Sequence, residues 1–556
     1  MKHAVLLVKN GIGFGHIRRA LLVAQVVQRA GKLRPVVVSQ ASSLALYHDS
    51  PVRVINFPLL HRVPSAIAED LYTDLLDQLL DRLDPAVVIE DTYPDARYRR
   101  LPALADRPRI LVMRRLDGLS FDQIRERGDL AHYDRILIAQ DEAAFQQEGH
   151  SGDSLAAVRY SGRFSFVGNI AHTPSPDEIR AARHAYAPDG APLVVVNGGA
   201  GGDQMPDGYG DRLFHACHNI AAALAGERHP VKFVFVTGPY YAGRPLADTG
   251  NVVVRRFEPR LAALLAAADV AVIKPGNNAL SETLVGQAHL VLVPDVSFME
   301  GLDEHAARVA AQYGGAVGKP ERGSLEPLIR DALARPPRER CLVPSSAAMD
   351  SLVEEIHHHA NGAGVRSVTE KKLLLVFSPP SGMAPDALAA DLPTGLRDAL
   401  ILGDRELAGT VTALSSLTGS PAAQADAVVW DMDPEPLLPQ DLADRGVRLL
   451  ILPGANPGAD RWLKLHPPCP ALPTVVSQCV TGQATSTARL QRRIAQILES
   501  TGTTTLLVDL SAIPQPDLSP YLDELADWLE TQPVRLAGVG DIAAIEANRL
   551  LQGGPR

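Results

Sequence analysis

Short apolar runs of strand length alternate with longer segments of helical period from the start of the chain to about residue 345. HAVLLV, RPVVVS, VRVINF, AVVIED, RILVMR and DRILIAQ form one series, which FSFVGN closes; PLVVVNGG, KFVFVTG, NVVVRRF, VAVIKPG and LVLVPD form a second. The runs are rich in Val and Ile and lack polar alternation, as strands do when both faces of a parallel sheet are covered by helices. The pattern predicts an α/β chain with two doubly wound, Rossmann-like domains. Their join is expected between residues 168 and 192, where HTPSPDEIRAARHAYAPDGAP mixes Pro, Asp and Gly with a short helical pattern. SLVEEIHHHANGAG, residues 351–364, reads as a last helix stopped by Asn and Gly.

A third series starts near Lys371 with KKLLLVFSPP and runs through DAVVWD, VRLLILPG, TVVSQ, TTTLLVDL and PVRLAGVGD. It predicts a further α/β domain with its own sheet, so the expected divisions are 1–172, 173–364 and 371–556. No internal repeat is evident.

Length and composition agree with this picture. A chain of 556 residues is too long for one core, and 46% apolar with 21% charged residues is ordinary for a globular protein. The net charge of −10 argues against a broad grip on nucleic acid, so a phosphate-bearing ligand would be held locally, by backbone amides and a few side chains. Cys217, Cys341, Cys469 and Cys479 show no metal-binding spacing; they read as small buried residues in a reducing compartment. MKHAVLLV is too short an apolar run for a signal peptide, and no stretch approaches the roughly 20 apolar residues of a membrane span, so the cytoplasm is the expected location.

The loops behind the strands carry the candidate chemistry. Directly after the first strand, GIGFGH places Gly11, Gly13 and Gly15 at alternate positions before His16. Glycines between a buried strand and a helix let backbone amides approach an anionic ligand. The spacing is not that of a dinucleotide fingerprint, and the acidic residue expected about 20 positions later is replaced by VVVSQAS. His16 lies where doubly wound sheets put their ligands, and a neutral imidazole there can take a proton from a hydroxyl. A capping or otherwise structural histidine is the alternative. Asp91, at the end of AVVIED, would orient or charge-stabilise His16, with Glu90 as the adjacent choice.

The second series supplies matching loops. Gly198 and Gly199 follow VVVN as a turn suited to phosphate oxygens. In VAVIKPGNNALSE the strand ends at Lys274, turns through Pro275 and Gly276 and starts a helix at Asn277 or Asn278, with Glu282 in its first turns. Glu282 reads either as an acceptor for ribose hydroxyls or as a carboxylate complementing the helix end.

On GIGFGH, the NGG of residues 197–199, and FEPRLAALLAAADVAVIKPGNNALSE followed by LVLVPDVSFMEGLDEHAARVAAQYGGA, the first 350 or so residues resemble a GT-B glycosyltransferase. The branch most resembled contains the bacterial peptidoglycan N-acetylglucosaminyltransferase that acts on the undecaprenyl lipid intermediate. A related nucleotide-sugar hydrolase shares the early Gly/His/Arg loop. The resemblance implies that His16 and the Gly13 and Gly15 loop lie beside the acceptor, and that Phe257 and Glu258 recognise the nucleotide base through their backbone. It implies that Gly276, Asn277, Asn278 and Ala279 offer amides to the diphosphate and that Glu282 binds ribose. Where the family has a Gln-Gln or His-Gln pair for the donor sugar, this chain has Glu304 and His305, and Asn stands where Ser or Thr is usual at 197, 277 and 278.

The implied chemistry is transfer of a sugar from a nucleotide diphosphate donor, a UDP-sugar by family likeness, to an acceptor hydroxyl or amine with inversion. It needs no cofactor and no obligatory metal, since no DxD-like motif ends a strand of the first two series. Hydrolysis of a nucleotide sugar and non-catalytic sensing of one are the alternatives. In the third region, Asp426, Asp431, Asp433 and His466 allow a metal-site reading, but solvated turn residues are the blander one; an accessory domain for acceptor recognition or homodimerisation is expected. Apolar positions on the first-domain helices suit either peripheral membrane contact or core packing.

Overall fold

The computed structural model describes residues 2–8, 14–39, 50–57, 65–199, 208–226, 230–239, 241–295, 302–338 and 346–361. Further on it describes 371–378, 387–388, 390, 392–393, 400–407, 411–416, 427–429, 449–453, 474–480, 491–492, 494–495, 503–509, 515–531, 534–536, 544, 547–548 and 550–552. The chain divides into two compact units. The first holds Met1–Asp117, His132–Glu148 and Ser165–Gly364; the second holds Gly118–Ala131, Gly149–Phe164 and Val365–Arg556.

The strands of the first sheet are β1 (His3–Val8), β2 (Arg34–Ser39), β3 (Arg53–Asn56), β4 (Pro85–Thr92), β5 (Arg109–Met113), β6 (Arg135–Ile138) and β7 (Phe164–Phe166). Their order is β3-β2-β1-β4-β5-β6-β7, with parallel pairing from β3 to β6. The second sheet has β8 (Leu193–Asn197), β9 (Lys232–Val236), β10 (Val252–Arg255), β11 (Val270–Ile273), β12 (His289–Leu292) and β13 (Ala316–Val317) in the order β10-β9-β8-β11-β12-β13, all parallel. Both follow the Rossmann order, in which the sheet reverses direction beside its first strand and opens a crevice at the carboxyl ends. The two Rossmann-like domains expected from the sequence are therefore present.

The apolar runs take this form because both faces are covered. Leu6 and Val8 of β1 pack with Ile17, Val23 and Val27 of α1 (Phe14–Arg29), whereas Val5 and Leu7 pack with Tyr72, Leu76 and Leu80 of α2 (Ser65–Leu83). Each such side chain, removed from water, contributes roughly 1.5–3 kcal/mol. In order along the chain the other helices are α3 (Gly118–Glu126), α4 (Glu142–Gln146), α5 (Gly152–Tyr160), α6 (Pro176–Tyr186), α7 (Tyr209–Leu224), α8 (Leu261–Ala267), α9 (Asn277–Leu284), α10 (Leu302–Tyr313), α11 (Arg322–Ala334) and α12 (Ser346–Ala360). α6 opens the second domain with a capping box: Ser175 Oγ accepts from the Glu178 amide, and Glu178 accepts from the Ser175 amide.

The sequence division ends the second domain at residue 364, yet α12 packs elsewhere. Its Leu352, Val353, Ile356 and Ala360 lie in the same core as α1 and the first sheet. The helical period supplied an apolar face, and the nearest uncovered surface for it belongs to the other domain.

The second unit contains a sheet of β14 (Lys371–Ser378), β15 (Leu400–Leu407), β16 (Val411–Ser416), β17 (Ala427–Val429), β18 (Leu449–Pro453), β19 (Thr474–Val480), β20 (Thr503–Asp509) and β21 (Val534–Leu536), with a helix α13 (Gln515–Glu530). Its order is β15-β16-β17-β18-β19-β20-β14-β21, and β15 also pairs with β14. The antiparallel pair β15–β16 has no counterpart in the sequence reading. α3 and α5 belong to this unit, where Arg125 Nε donates to Ser154 Oγ at 3.0 Å and Asn548 Nδ2 donates to the Ser161 carbonyl at 3.0 Å. Asp426, Asp431, Asp433 and His466 lie outside the described residues, as do Cys341 and Cys469. Cys217 is fully buried in the second domain's core.

Candidate functional site

A cavity of about 220 Å³ lies within the first unit, at the carboxyl ends of both parallel sheets. From the first domain Gly15, His16, Arg18, Arg19 and Arg114 line it. From the second come Asn197, Gly199, Arg256, Phe257, Glu258, Lys274, Gly276, Asn277, Asn278, Ala279 and Glu282. Most of the residues singled out in the sequence thus meet in one place, from loops more than 260 positions apart. Gly13 lies outside the described residues, Gly198 is turned against Phe214, and Asp91, Glu304 and His305 are not in the wall.

His16 is in the first turn of α1, with its side chain 14% exposed. Its Nδ1 lies 2.7 Å from Thr92 Oγ1 and 3.7 Å from Asp91 Oδ2. Thr92 Oγ1 donates to Asp91 Oδ2 at 2.8 Å, and Arg19 holds the same carboxylate with Nε at 2.8 Å and Nη2 at 3.0 Å. A bidentate guanidinium matches a carboxylate's geometry and makes burial of both charges tolerable. Burial pushes the His16 imidazole down to about 3, with Arg19 and Arg114 adding to the effect and Asp91 opposing it. At neutral pH the ring is therefore uncharged, with one nitrogen carrying a lone pair.

Strand alternation separates the two acidic candidates of β4. Glu90 points to the opposite face, where Oε1 accepts from the Asp95 amide at 2.6 Å and Oε2 from the Tyr133 hydroxyl. Burial there pushes its carboxyl up to about 7, against the Tyr133 hydrogen bond and Arg109. Asp91 is the one that belongs with His16.

On the facing wall, Gly276 caps α9 in extended conformation, and nothing lies within 4 Å of where a Cβ would stand. The first amides of α9 are thus open to the cavity, at the end of the helix that favours negative charge. Gly199, at φ 89°, donates its amide to Asn197 Oδ1 at 2.9 Å, a turn that favours glycine. Lys274 Nζ sits 2.9 Å from Asp295 Oδ2 and 5.3 Å from the centre of the Tyr209 ring. Glu258 accepts from the Tyr186 hydroxyl and from the Arg260 amide. Glu282 is buried with Arg18 Nη2 at 3.5 Å, and burial raises its carboxyl above the usual range while Arg18 opposes. Five cationic side chains and two carboxylates line this cavity, with Arg19 held by Asp91, Lys274 by Asp295 and Arg18 beside Glu282.

Beside the cavity, Glu148 accepts from Arg115 Nε at 2.6 Å and Nη2 at 2.7 Å and from Arg308 Nη2 at 2.7 Å, tying the first domain to α10 of the second. His305 is buried next to this cluster, pushed down to about 3 by burial and by Arg115 and Arg308. Glu304 is 81% exposed. Sequence reasoning missed Thr92 and the clamp of Arg19 on Asp91. The two arginines behind His16 were visible as charges at the head of a helix, but Arg19's partner lies 72 positions on and Arg18's is Glu282 of the second domain.

Among the described residues no group of three or more His, Cys, Asp or Glu is arranged to hold a metal, and no helix is long and apolar enough to cross a membrane.

No protein-family model and no curated protein sequence matches the chain. Among solved structures it is similar to the glycotransferase of kitacinnamycin, at 17% identity over 64% of this chain and 95% of that one, with a TM-score of 0.42. It is similar to Arabidopsis thaliana UGT89C1 complexed with UDP-L-rhamnose, at 14% identity over 66% and 96% of the two chains and a TM-score of 0.44. It is also similar to the glycosyltransferase SnogD from Streptomyces nogalater, at 14% identity over 65% and 98%, with a TM-score of 0.37.

Proposed function

We propose that the chain transfers a sugar from a nucleotide diphosphate donor, a UDP-sugar by preference, to an acceptor hydroxyl or amine with inversion. The observation that carries this reading is one cavity with two unlike walls. One wall presents a neutral histidine backed by a buried carboxylate, and the other presents open helix-terminal amides beside an acceptor carboxylate.

The donor's diphosphate suits the amides of Asn277 to Ala279, that of Gly276 being taken by the Lys274 carbonyl, and its ribose hydroxyls suit Glu282, which has Arg18 as its neighbour. His16 then faces the anomeric carbon from the acceptor side. It removes the proton of the attacking hydroxyl as the new C–O bond forms, and the electron pair of the broken bond leaves with the diphosphate. Charge developing on that leaving group meets the N-terminus of α9 and the guanidinium groups of the lining. Attack and departure on opposite sides of the carbon give inversion. With helix amides and guanidinium groups to meet that charge, transfer is expected to be independent of added metal, and a chelator to leave turnover unchanged.

The test is incubation with a panel of nucleotide sugars, with and without acceptors, for wild type and His16→Ala. Acceptor-dependent turnover that falls by about 100-fold or more in the variant, with nucleotide affinity kept, supports the reading. Donor consumption without an acceptor identifies a hydrolase instead, and binding without turnover a sensor.

A further inference from the structure

We infer that Thr92 is a positioning residue for His16: its hydroxyl stands between the imidazole and Asp91 and fixes which ring nitrogen carries the proton. The inference rests on the reading of His16 as the base of the transfer.

Three groups meet Thr92 Oγ1. His16 Nδ1 is 2.7 Å away, Asp91 Oδ2 2.8 Å and Arg19 Nη2 3.3 Å. A hydroxyl has one proton and two lone pairs. A carboxylate only accepts, so the hydroxyl proton goes to Asp91; a guanidinium only donates, so Arg19 takes one lone pair. The remaining lone pair needs a donor, which places a proton on Nδ1 of His16. Asp91 Oδ2, 3.7 Å from Nδ1, is too far to do this itself. Nε2 is left with its lone pair, in a ring that lines the cavity. Among the described residues no partner occupies Nε2.

The backbone is shaped for this arrangement. Consecutive side chains of a strand point to opposite faces, yet Asp91 and Thr92 bond to each other and to the same arginine. Thr92 achieves this with φ at 90°, a region that β-branched residues rarely enter. Asp84, just before β4, is the other described non-glycine residue with positive φ, but it is not β-branched.

In the transfer, the acceptor's proton goes to Nε2. The Nδ1 proton stays where it is, still donated to Thr92 Oγ1, and the imidazolium charge is met by Asp91 through the hydroxyl. No proton moves along the chain of groups.

The experiment is 15N NMR of histidine-labelled protein, with His16→Ala to identify the resonance, together with kinetics of Thr92→Val and Thr92→Ser. The expected result is an Nδ1–H tautomer in wild type and Thr92→Ser, lost or mixed in Thr92→Val. Alongside it, kcat falls on the order of 100-fold in Thr92→Val and stays within about threefold in Thr92→Ser, with donor KM nearly constant in both. An Nε2–H tautomer in wild type overturns the inference, and wild-type spectra decide this even if Thr92→Val does not fold. So does a Thr92→Val protein with unchanged tautomer and rate. If no sugar is transferred by any form but the tautomer follows the hydroxyl as described, the positioning role stands and the transferase reading fails.

Discussion

Asn278 donates its side-chain amide to the backbone carbonyl of Gly15, joining the start of α9 to the start of α1 across 263 positions. A Cβ on Gly15 would stand 3.1 Å from that same amide nitrogen, so the contact is close as well as directional. The two loops that carry the candidate chemistry therefore hold each other. Removing one such hydrogen bond costs about 1 kcal/mol, or a factor of about five in an equilibrium. Asn278→Ala is expected to raise donor KM by about that factor while the melting temperature changes little. An unchanged KM in steady-state kinetics speaks against coupling of the two loops.

The acid side of the rate profile should be unusually flat. His16 stays neutral to about 3, so the free enzyme keeps its base far below the pH at which an ordinary histidine is lost. One unit below an ordinary histidine's pKa about 90% of the base form is gone. kcat at saturating donor is expected at pH 5.5 to lie within about twofold of its value at 7.5. A tenfold fall would show that the imidazole titrates as an exposed one does.

Glu282 gives the opposite dependence on the donor side. Burial raises its carboxyl, so on acidification it loses its charge earlier than an exposed glutamate. Nucleotide affinity is expected to weaken as the pH falls toward that range, and Glu282→Gln to weaken it about tenfold or more with a flatter pH profile. Calorimetric titration with nucleotide measures both, and equal profiles in the two proteins would rule out a ribose contact.

Glu90 affects stability rather than turnover. Its carboxyl lies near 4.5 unfolded and about 7 folded, so the folded state favours the proton. The resulting stabilisation is fully present below 4.5 and is lost as the pH rises through 7, on the order of 3 kcal/mol. Glu90→Gln should remove that slope. Urea unfolding at pH 5 and pH 7.5 gives the comparison, and parallel curves for both proteins contradict the assignment.

The Glu148 cluster separates a buried pair from a rim charge. Glu148→Ala leaves Arg115, whose side chain is 8% exposed, without its acceptor and is expected to cost about 3–5 kcal/mol. Arg308→Ala removes a side chain that is 34% exposed and is expected to cost about 1 kcal/mol or less. Equal losses in urea unfolding would mean that the three groups act only as a unit.

The two parallel sheets were legible because burial on both faces writes itself into composition: every position of β1 from Ala4 to Val8 is buried, and every one is apolar. The loops were legible because glycine, proline and asparagine punctuate strand ends at 198–199 and 275–278. The relation of Thr92 to His16 was not, since it depends on one backbone angle and on a side chain 76 positions away. Glu90 and Asp91 were indistinguishable in sequence; the pleat alone assigns them to different faces. β15 and β16 were missed because LILGDREL and VTALSS mix charges and hydroxyls with apolar residues, unlike the buried runs.

The helix α12 returns to the first sheet's core after the chain has built the whole second domain. The chain thus passes from one domain to the other twice, after Ile170 and again after Ala334. A single tether would leave the domains free to swivel, whereas two fix a line about which they can turn, as a door turns on a pair of pins.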